Sequence, residues 1–224
     1  QDNSNMIWLG THSGVERFNP DESKFILYRP NPVITQALTN NSVQAIEEDP
    51  SHRLWIGTYN GIFIMDRKTG AYTNYQRNQK DLHSLSHNLV ESVCRDKRGN
   101  MWIGTVAGLN LFDPIHKTFR RFYTKIDSLR GIAFIHSVFA AGNGEVLIGS
   151  TGGLFMYDFE NDSVQHLFNE SVSTIFEDNR GIIWSGIGTG IAVAKGLIKY
   201  NRSTGERKKF SHISGDTSSL RSNL

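Results

Sequence analysis

Ile7-Trp8-Leu9-Gly10-Thr11, with Gly14-Val15 close behind, is a phrase that this chain keeps restating. Leu54-Trp55-Ile56-Gly57-Thr58…Gly61-Ile62 and Met101-Trp102-Ile103-Gly104-Thr105…Gly108-Leu109 repeat it closely. Two looser copies follow, Val146-Leu147-Ile148-Gly149-Ser150…Gly153-Leu154 and Ile183-Trp184-Ser185-Gly186…Gly196-Leu197. Trp55 lies 47 residues after Trp8, and Trp102 lies 47 after Trp55. The same offset carries Phe25 to Tyr72 to Phe119, Tyr28 to Tyr75 to Phe122, Leu38 to Leu85, and Asp2 to Asp49 to Asp96. A fixed period of this size marks an array of one supersecondary unit, each copy burying its apolar face on its neighbours. Leu147 comes 45 residues after Trp102 and Trp184 comes 37 after Leu147, so the later copies shorten in their loops.

Residues 88–125 show what one unit contains. Val90 and Val93 belong to a short apolar segment ending at Asp96, and Lys97-Arg98-Gly99-Asn100 reads as a polar turn with positive φ at the Gly. Met101 to Thr105 is a second strand, Val106-Ala107-Gly108 turns the chain, and Leu109 to Phe112 is a third strand. Asp113-Pro114 ends it, because Pro cannot donate to a ladder. Phe119-Arg120-Arg121-Phe122-Tyr123 is a fourth strand whose charges suit an exposed edge. Four short antiparallel strands in this length form the unit of a β-propeller blade. The expected fold is therefore all-β: a β-propeller fragment of about five four-stranded antiparallel blades, open at its ends. The units fall at about 1–41, 42–88, 89–131, 132–170 and 171–224, and form a single partial propeller. A β-solenoid is the rival, but its coils are usually about half as long; no segment sustains a helical period.

In that frame Trp8, Trp55, Trp102 and Trp184 fill the wedge between adjacent sheets. Gly10, Gly57, Gly104, Gly149 and Gly186 let a neighbouring backbone come close. These residues are scaffold. Asp49, Asp96 and Asp178 precede turns and should accept local backbone hydrogen bonds. In the fifth unit both Gly190-Ile191 and Gly196-Leu197 can open the third strand. The second fits better, because Asn201 to Gly205 repeats the spacing of Asp66 to Gly70, leaving a longer loop from Ile187 to Lys195.

The bulk numbers exclude several classes. With 38% hydrophobic and 21% charged residues the chain reads as a soluble globular protein, and 21 Gly against five Pro suits many tight turns. A net charge of +2 gives no reason to expect nucleic acid or a membrane surface as partner. Cys94 stands alone, so no internal disulfide forms. No run approaches a membrane span, and no signal peptide opens the chain. Asp2 matches the end of a first strand and Leu224 matches Leu89, just before one. The piece is therefore expected to lack the first strand of its first blade and any closing strand.

The pattern Val-x-x-Ile-x-x-Asp…Gly-x-x-Trp-Ile-Gly-Thr-x-x-Gly-Leu-x-x-Phe-Asp, followed by aromatics and Ser-Leu-x-x-Asn, resembles the two-component regulator propeller repeat. Ser84-Leu85-Ser86-His87-Asn88 and Ser219-Leu220-Arg221-Ser222-Asn223 both carry the linking segment, and Asn41 falls at the Asn88 position. The fourth unit departs from the pattern: Leu147 replaces Trp, Ser150 replaces Thr, and Ala141 stands at the Asp96 position. The resemblance implies the periplasmic sensor region of a bacterial hybrid two-component histidine kinase, of the type found in Bacteroidetes. It further implies carbohydrate sensing, with oligosaccharides as ligands and signal transduction to a kinase outside this fragment.

Function should sit on one face, where second-to-third turns and fourth-to-first connections project together. Sugar recognition needs a flat aromatic and planar hydrogen-bonding groups. His12, Tyr59, Asn60, His87, Arg130 and Lys195 supply or neighbour such chemistry on that face and are the candidate ligand-binding residues. His83 and His87 are four apart in a loop, which gives no common face, so no metal is expected. Gly186-Ile187-Gly188-Thr189-Gly190 has no helix pattern after it and does not read as a phosphate loop. Arg120-Arg121 and Arg207-Lys208-Lys209 read as solvated outer-strand charges. No catalytic residue and no cofactor is assigned, since repetition argues against a single asymmetric active site. Two rivals remain: a propeller lyase or glycan hydrolase using His12, Tyr59 and His87, and a protein-interaction platform. In the latter, open β edges pair with the rest of the propeller or with a second subunit.

Overall fold

A computed structural model describes residues 2, 4–12, 14–28, 42–122, 134–188 and 194–223. Every regular element among them is a β-strand, and all pairing is antiparallel between sequence neighbours. The strands fall into two compact units, one built mainly from residues 1–121 and the other mainly from 122–224.

The first unit holds three sheets. A three-stranded sheet comprises β1 (Ile7–Thr11), β2 (Gly14–Asn19) and β3 (Lys24–Tyr28). A four-stranded sheet follows, with β4 (Val43–Glu48), β5 (Leu54–Thr58), β6 (Gly61–Met65) and β7 (Tyr72–Tyr75). The third has β8 (Val90–Arg95), β9 (Met101–Thr105), β10 (Gly108–Asp113) and β11 (Thr118–Arg121). The second unit holds two four-stranded sheets. One is β12 (Ile135–Ala140), β13 (Val146–Ser150), β14 (Gly153–Asp158) and β15 (Ser163–Phe168). The other is β16 (Val172–Glu177), β17 (Ile182–Ile187), β18 (Gly196–Asn201) and β19 (Arg207–Phe210). The first sheet has three strands among the described residues. Ile187 lies opposite Gly196, which selects the Gly196-Leu197 alignment of the fifth copy.

Strand β5 is buried along its whole length, so it reads as continuous apolar sequence rather than alternation. Its two faces serve different interfaces. Leu54 and Ile56 join Phe63 and Met65 against Val15, Trp8 and Tyr28 of the first sheet. Trp55 points the other way and packs with Ile62 and Ile64 against Val90, Val93, Met101 and Phe112 of the third. Trp55 meets Phe112 edge-on at 4.8 Å, a geometry worth about 0.5–1.5 kcal/mol beyond area burial. In the second unit Leu147 takes the place of the indole, packing with Leu154 against Val172, Ile175 and Ile183.

Three of the repeated glycines, Gly10, Gly57 and Gly149, have a tighter purpose than the sequence indicates. A Cβ at Gly57 would stand 2.7 Å from Val90 Cγ1; the same distance separates Gly10 from Val43 Cγ1 and Gly149 from Val172 Cγ1. The close neighbour at Gly10 and Gly57 is the first-strand Val side chain of the following sheet; at Gly149 that Val is joined by Ser137 Oγ of its own sheet at 2.4 Å.

The recurring Asp carries more than backbone hydrogen bonds. Asp49 Oδ1 accepts the amides of Ser51 at 2.9 Å and Arg53 at 3.0 Å, and Oδ2 accepts the Trp55 indole N–H at 2.9 Å. Asp2 does the same for Ser4, Met6 and Trp8, and Asp178 for Arg180, Ile182 and Trp184. Burial alone would raise these pKa values. The indole, amide and guanidinium donors overcome it, holding Asp2 and Asp49 below the ordinary carboxylate range and Asp178 at about 2.

A second device joins adjacent sheets. Arg67 pairs with Glu48 of its own sheet at 2.8 Å and with Asp2 of the preceding one at 3.0 Å. Arg202 pairs in the same way with Glu177 of its own sheet and Glu145 of the preceding one.

Candidate functional site

The second-to-third turns are built alike. Thr58 Oγ1 donates to the Gly61 carbonyl at 3.0 Å and accepts the Asn60 amide at 3.0 Å; Thr105 and Ser150 repeat both bonds. Gly61 has φ +98°, and a Cβ there would stand 2.3 Å from the Tyr75 carbonyl, so no side chain fits. These caps hold the next two residues, here Tyr59 and Asn60, at the tip.

The connecting segment lies beside those tips. Gly61 N–H donates to the Asn88 carbonyl at 2.7 Å, and Val106 N–H to the Leu89 carbonyl at 3.2 Å. In the second unit Gly188 N–H likewise donates to Ser171. In the sheets that carry these bonds, turns and connections therefore share one end, as expected. The 84–88 link is held by its neighbours: Leu85 is fully buried, Ser86 N–H donates to Asn110 Oδ1 at 2.9 Å, and Ser86 Oγ lies 2.8 Å from Thr105 Oγ1. Arg121 is not a solvated edge charge. Its guanidinium donates to the carbonyls of Ser84 at 2.8 Å, Asp81 at 3.0 Å and Leu85 at 3.0 Å, because the β11 register turns it toward the link. Arg207 also has a partner, Glu170 at 2.8 Å, although it stays exposed.

The first unit places four of the candidates at this end. His12 is exposed and its Nδ1 lies 3.0 Å from Ser42 Oγ, which also accepts Gln44 Nε2 at 2.7 Å. Tyr59 is 42% exposed, so its ring is open to a ligand. Asn60 Oδ1 accepts Gln76 Nε2 at 2.7 Å. His87 Nδ1 accepts the Leu89 amide at 3.0 Å, and burial, helped by Arg77, lowers its proton affinity. These fall into two groups, His12 with Ser42 and Gln44, and Tyr59–Asn60 beside the 87–89 link. Among the described residues no hydrogen bond or ring contact joins the groups. Lys195 is exposed in the second unit, its amide bonded to the Ile187 carbonyl at 2.8 Å. Arg130 lies outside the described residues, as do the connections at 31–41 and 125–130. Among the described residues no group of three or more His, Cys, Asp or Glu side chains is placed to hold a metal ion.

Sequence reasoning missed another recurrent feature. Each first strand slips register once against its neighbour, between Val43 and Ala45, Val90 and Ser92, Ile135 and Ser137, and Val172 and Thr174. The residues skipped are Gln44, Glu91, His136 and Ser173, all polar in strands of Val and Ile. A bulge of this kind re-aims a side chain and is common beside binding sites. Burial raises the pKa of Glu91 and lowers that of His136. The signal was available: the four residues follow the offsets of the repeat, 47, 45 and 37 apart.

Comparison with known proteins places this geometry. Residues 37–60 and 84–107 match the two component regulator propeller family. No curated protein matches the sequence. Among solved structures the chain is similar to the extracellular domain of a protein assigned as the hybrid two component system BT3049 from B. thetaiotaomicron, with TM-score 0.77 and 24% identity. That match covers 96% of this chain and 30% of the other. It is also similar to the extracellular domain of BT4673, assigned as a one component system, from the same organism: TM-score 0.81, 21% identity, 100% of this chain and 28% of that one. Virginiamycin B lyase from Staphylococcus aureus matches at TM-score 0.70 and 13% identity, over 96% of this chain and 69% of the lyase. Likeness at these identities establishes the fold, an all-β propeller arrangement. The chain spans about a third of the two B. thetaiotaomicron structures.

Proposed function

We propose that this chain, which carries repeats of the two component regulator propeller family, is a non-catalytic sensing module of a hybrid two-component histidine kinase. It works on the periplasmic side of the membrane and signals to a kinase outside the chain. One observation carries the reading. The repeat match at 37–60 and 84–107 coincides with likeness, over nearly the whole chain, to extracellular domains assigned to such regulatory systems. Among the described residues no helix is long and apolar enough to cross a membrane.

The ligand we propose is an oligosaccharide, received at the turn-and-link end of the first unit. Tyr59 offers an open aromatic face, while Asn60, His12, Gln44 and His87 offer planar or hydroxyl-matching hydrogen-bonding groups. Signalling requires that the ligand favour one arrangement of the sheets over another. Isothermal titration against a panel of neutral oligosaccharides tests this, with binding by the wild type and at least tenfold loss in Tyr59→Ala as the expected outcome. Absence of heat with every sugar would remove direct sugar sensing.

A second reading has its own observation. Strand β1 pairs only with β2 among the described residues, and Leu9, Phe25 and Leu27 of that sheet are exposed. We propose that this edge pairs with a strand from elsewhere, in the same protein or another subunit. Light scattering that finds a strict monomer at high concentration would remove the second-subunit form. The enzymatic alternative rests on His12, Tyr59 and His87, which no hydrogen bond or ring contact joins among the described residues, and the likeness to the lyase at 13% identity concerns the fold.

A further inference from the structure

The opposite end of the first unit carries a cleft of about 650 Å³ that the sensing reading does not use. It lies where the β4–β5 and β6–β7 turns come together and is lined by Ser4, Arg17, Arg53, Arg67 and Lys68 and by one carboxylate, Asp66, among others. Two of its cations are already committed. Arg53 pairs with Asp49 at 2.7 Å, and Arg67 is held between Asp2 and Glu48. Asp2 and Asp49 are in turn filled by indole and backbone donors.

Arg17 is different. It stands opposite Trp8 in the β1–β2 ladder. The corresponding residues opposite Trp55, Trp102 and Leu147 are Ile64, Leu111 and Met156, all apolar, while Lys199 stands opposite Trp184 in the fifth copy, 5.8 Å from its ring centroid. Here the repeat has placed a guanidinium where its other copies in sheets two to four place a hydrocarbon. The Arg17 guanidinium lies 5.7 Å from the Tyr28 ring centroid, and its Nε is buried with no hydrogen-bond partner. A buried donor without an acceptor is destabilising, and a ligand that brings the acceptor relieves that cost.

We propose that this cleft binds a small molecule through an oxyanion group, a carboxylate, sulfate or phosphate ester, received by Arg17. The planar fork of the guanidinium matches such a group in bidentate geometry. Exposed Lys68 adds positive charge at the cleft, and Ser4 and Ser51 line it with hydroxyls. The volume lies within the range of small-molecule pockets, so the occupant is larger than a bare ion. This site stands at the other end of the sheets from Tyr59 and does not depend on the sensing reading.

The test uses the 224-residue chain at low ionic strength, titrated separately with glucuronate, inorganic sulfate and inorganic phosphate, with glucose and matched chloride as controls. Binding is followed by calorimetry and by the thermal midpoint. At least one oxyanion should bind saturably and raise the midpoint. Arg17→Met, which copies Met156, should weaken that binding at least tenfold while folding as well as the wild type. Arg17→Lys, keeping charge but not the fork, should fall between. A response to glucuronate alone indicates an acidic sugar, and a response to sulfate and phosphate alone indicates an ester. If none of the three binds saturably, or if Arg17→Met responds like the wild type, the proposal fails.

Discussion

The turn between β4 and β5 and the turn between β12 and β13 have the same backbone and opposite contents. In the first, Asp49 N–H donates to the Arg53 carbonyl and His52 N–H to the Asp49 carbonyl. In the second, Ala141 and Gly144 make the same two bonds with Glu145 and Ala141. Both turns place a positive φ at the fourth residue, 61° at His52 and 91° at Gly144. Yet the first encloses a carboxylate bonded to an indole, and the second encloses Ala141 and Leu147, both fully buried in a hydrocarbon cluster. The carboxylate does not create the turn. It is there to satisfy a buried indole N–H, and where the indole is absent the acid is absent too. Buried polar groups are retained in pairs or removed in pairs, because half a pair is worse than either.

Splitting the pair is the strongest way to break that comparison. Asp49→Ala should strand the Trp55 indole, two backbone amides and Arg53, at a loss of about 4 kcal/mol read from urea unfolding. A loss under about 1 kcal/mol would show that the lock is ornamental. The reverse graft comes next. Ala141→Asp should cost about 3 kcal/mol by burying a carboxylate without its indole, and adding Leu147→Trp should return at least about 1 kcal/mol as coupling. Additive single effects would mean that the two positions do not recognise one another.

Acid offers a milder route to the same contrast. Asp2, Asp49 and Asp178 are depressed in the folded state, so their stabilisation is complete above the ordinary carboxylate value near 4. It is lost as pH falls below that value toward about 2, where Asp178 titrates. The urea midpoint should therefore drop between pH 4 and pH 2, and Asp49→Ala should flatten part of that slope. An unchanged slope in the variant would place the acid sensitivity elsewhere. The smallest effect concerns the backbone. His52→Gly copies Gly144 and should gain about 0.5 kcal/mol by relieving a left-handed residue, less whatever its bond to Glu48 contributes.

The sheets were legible because their determinants are local and repeat at a fixed offset. Trp8, Trp55 and Trp102 announce the second strand, and Gly61 or Gly196 announces the turn that only glycine fits. The Asp–indole bond was not read, because its partners are six residues apart across a turn and meet only once the turn closes. The paired change to Ala141 and Leu147 was its visible trace. Gln44, Glu91, His136 and Ser173 were passed over because a bulge breaks the two-residue alternation that strand reading relies on. The turn-and-link end was placed from turn order alone, but whether His12 and His87 converge depends on side-chain geometry that spacing does not encode. Arg121 looked solvated because charge pattern does not reveal which carbonyls a guanidinium can reach.

The contact of Gly57 with Val90, repeated at Gly10 and Gly149, bears on how such an array grows. At these three seams one copy brings a notch and the next brings the peg that fills it. A duplicated segment therefore arrives already fitted to its parent on either side. Lengthening or shortening the array demands no newly invented surface, which leaves the tips free to diverge toward new ligands while the seams stay the same.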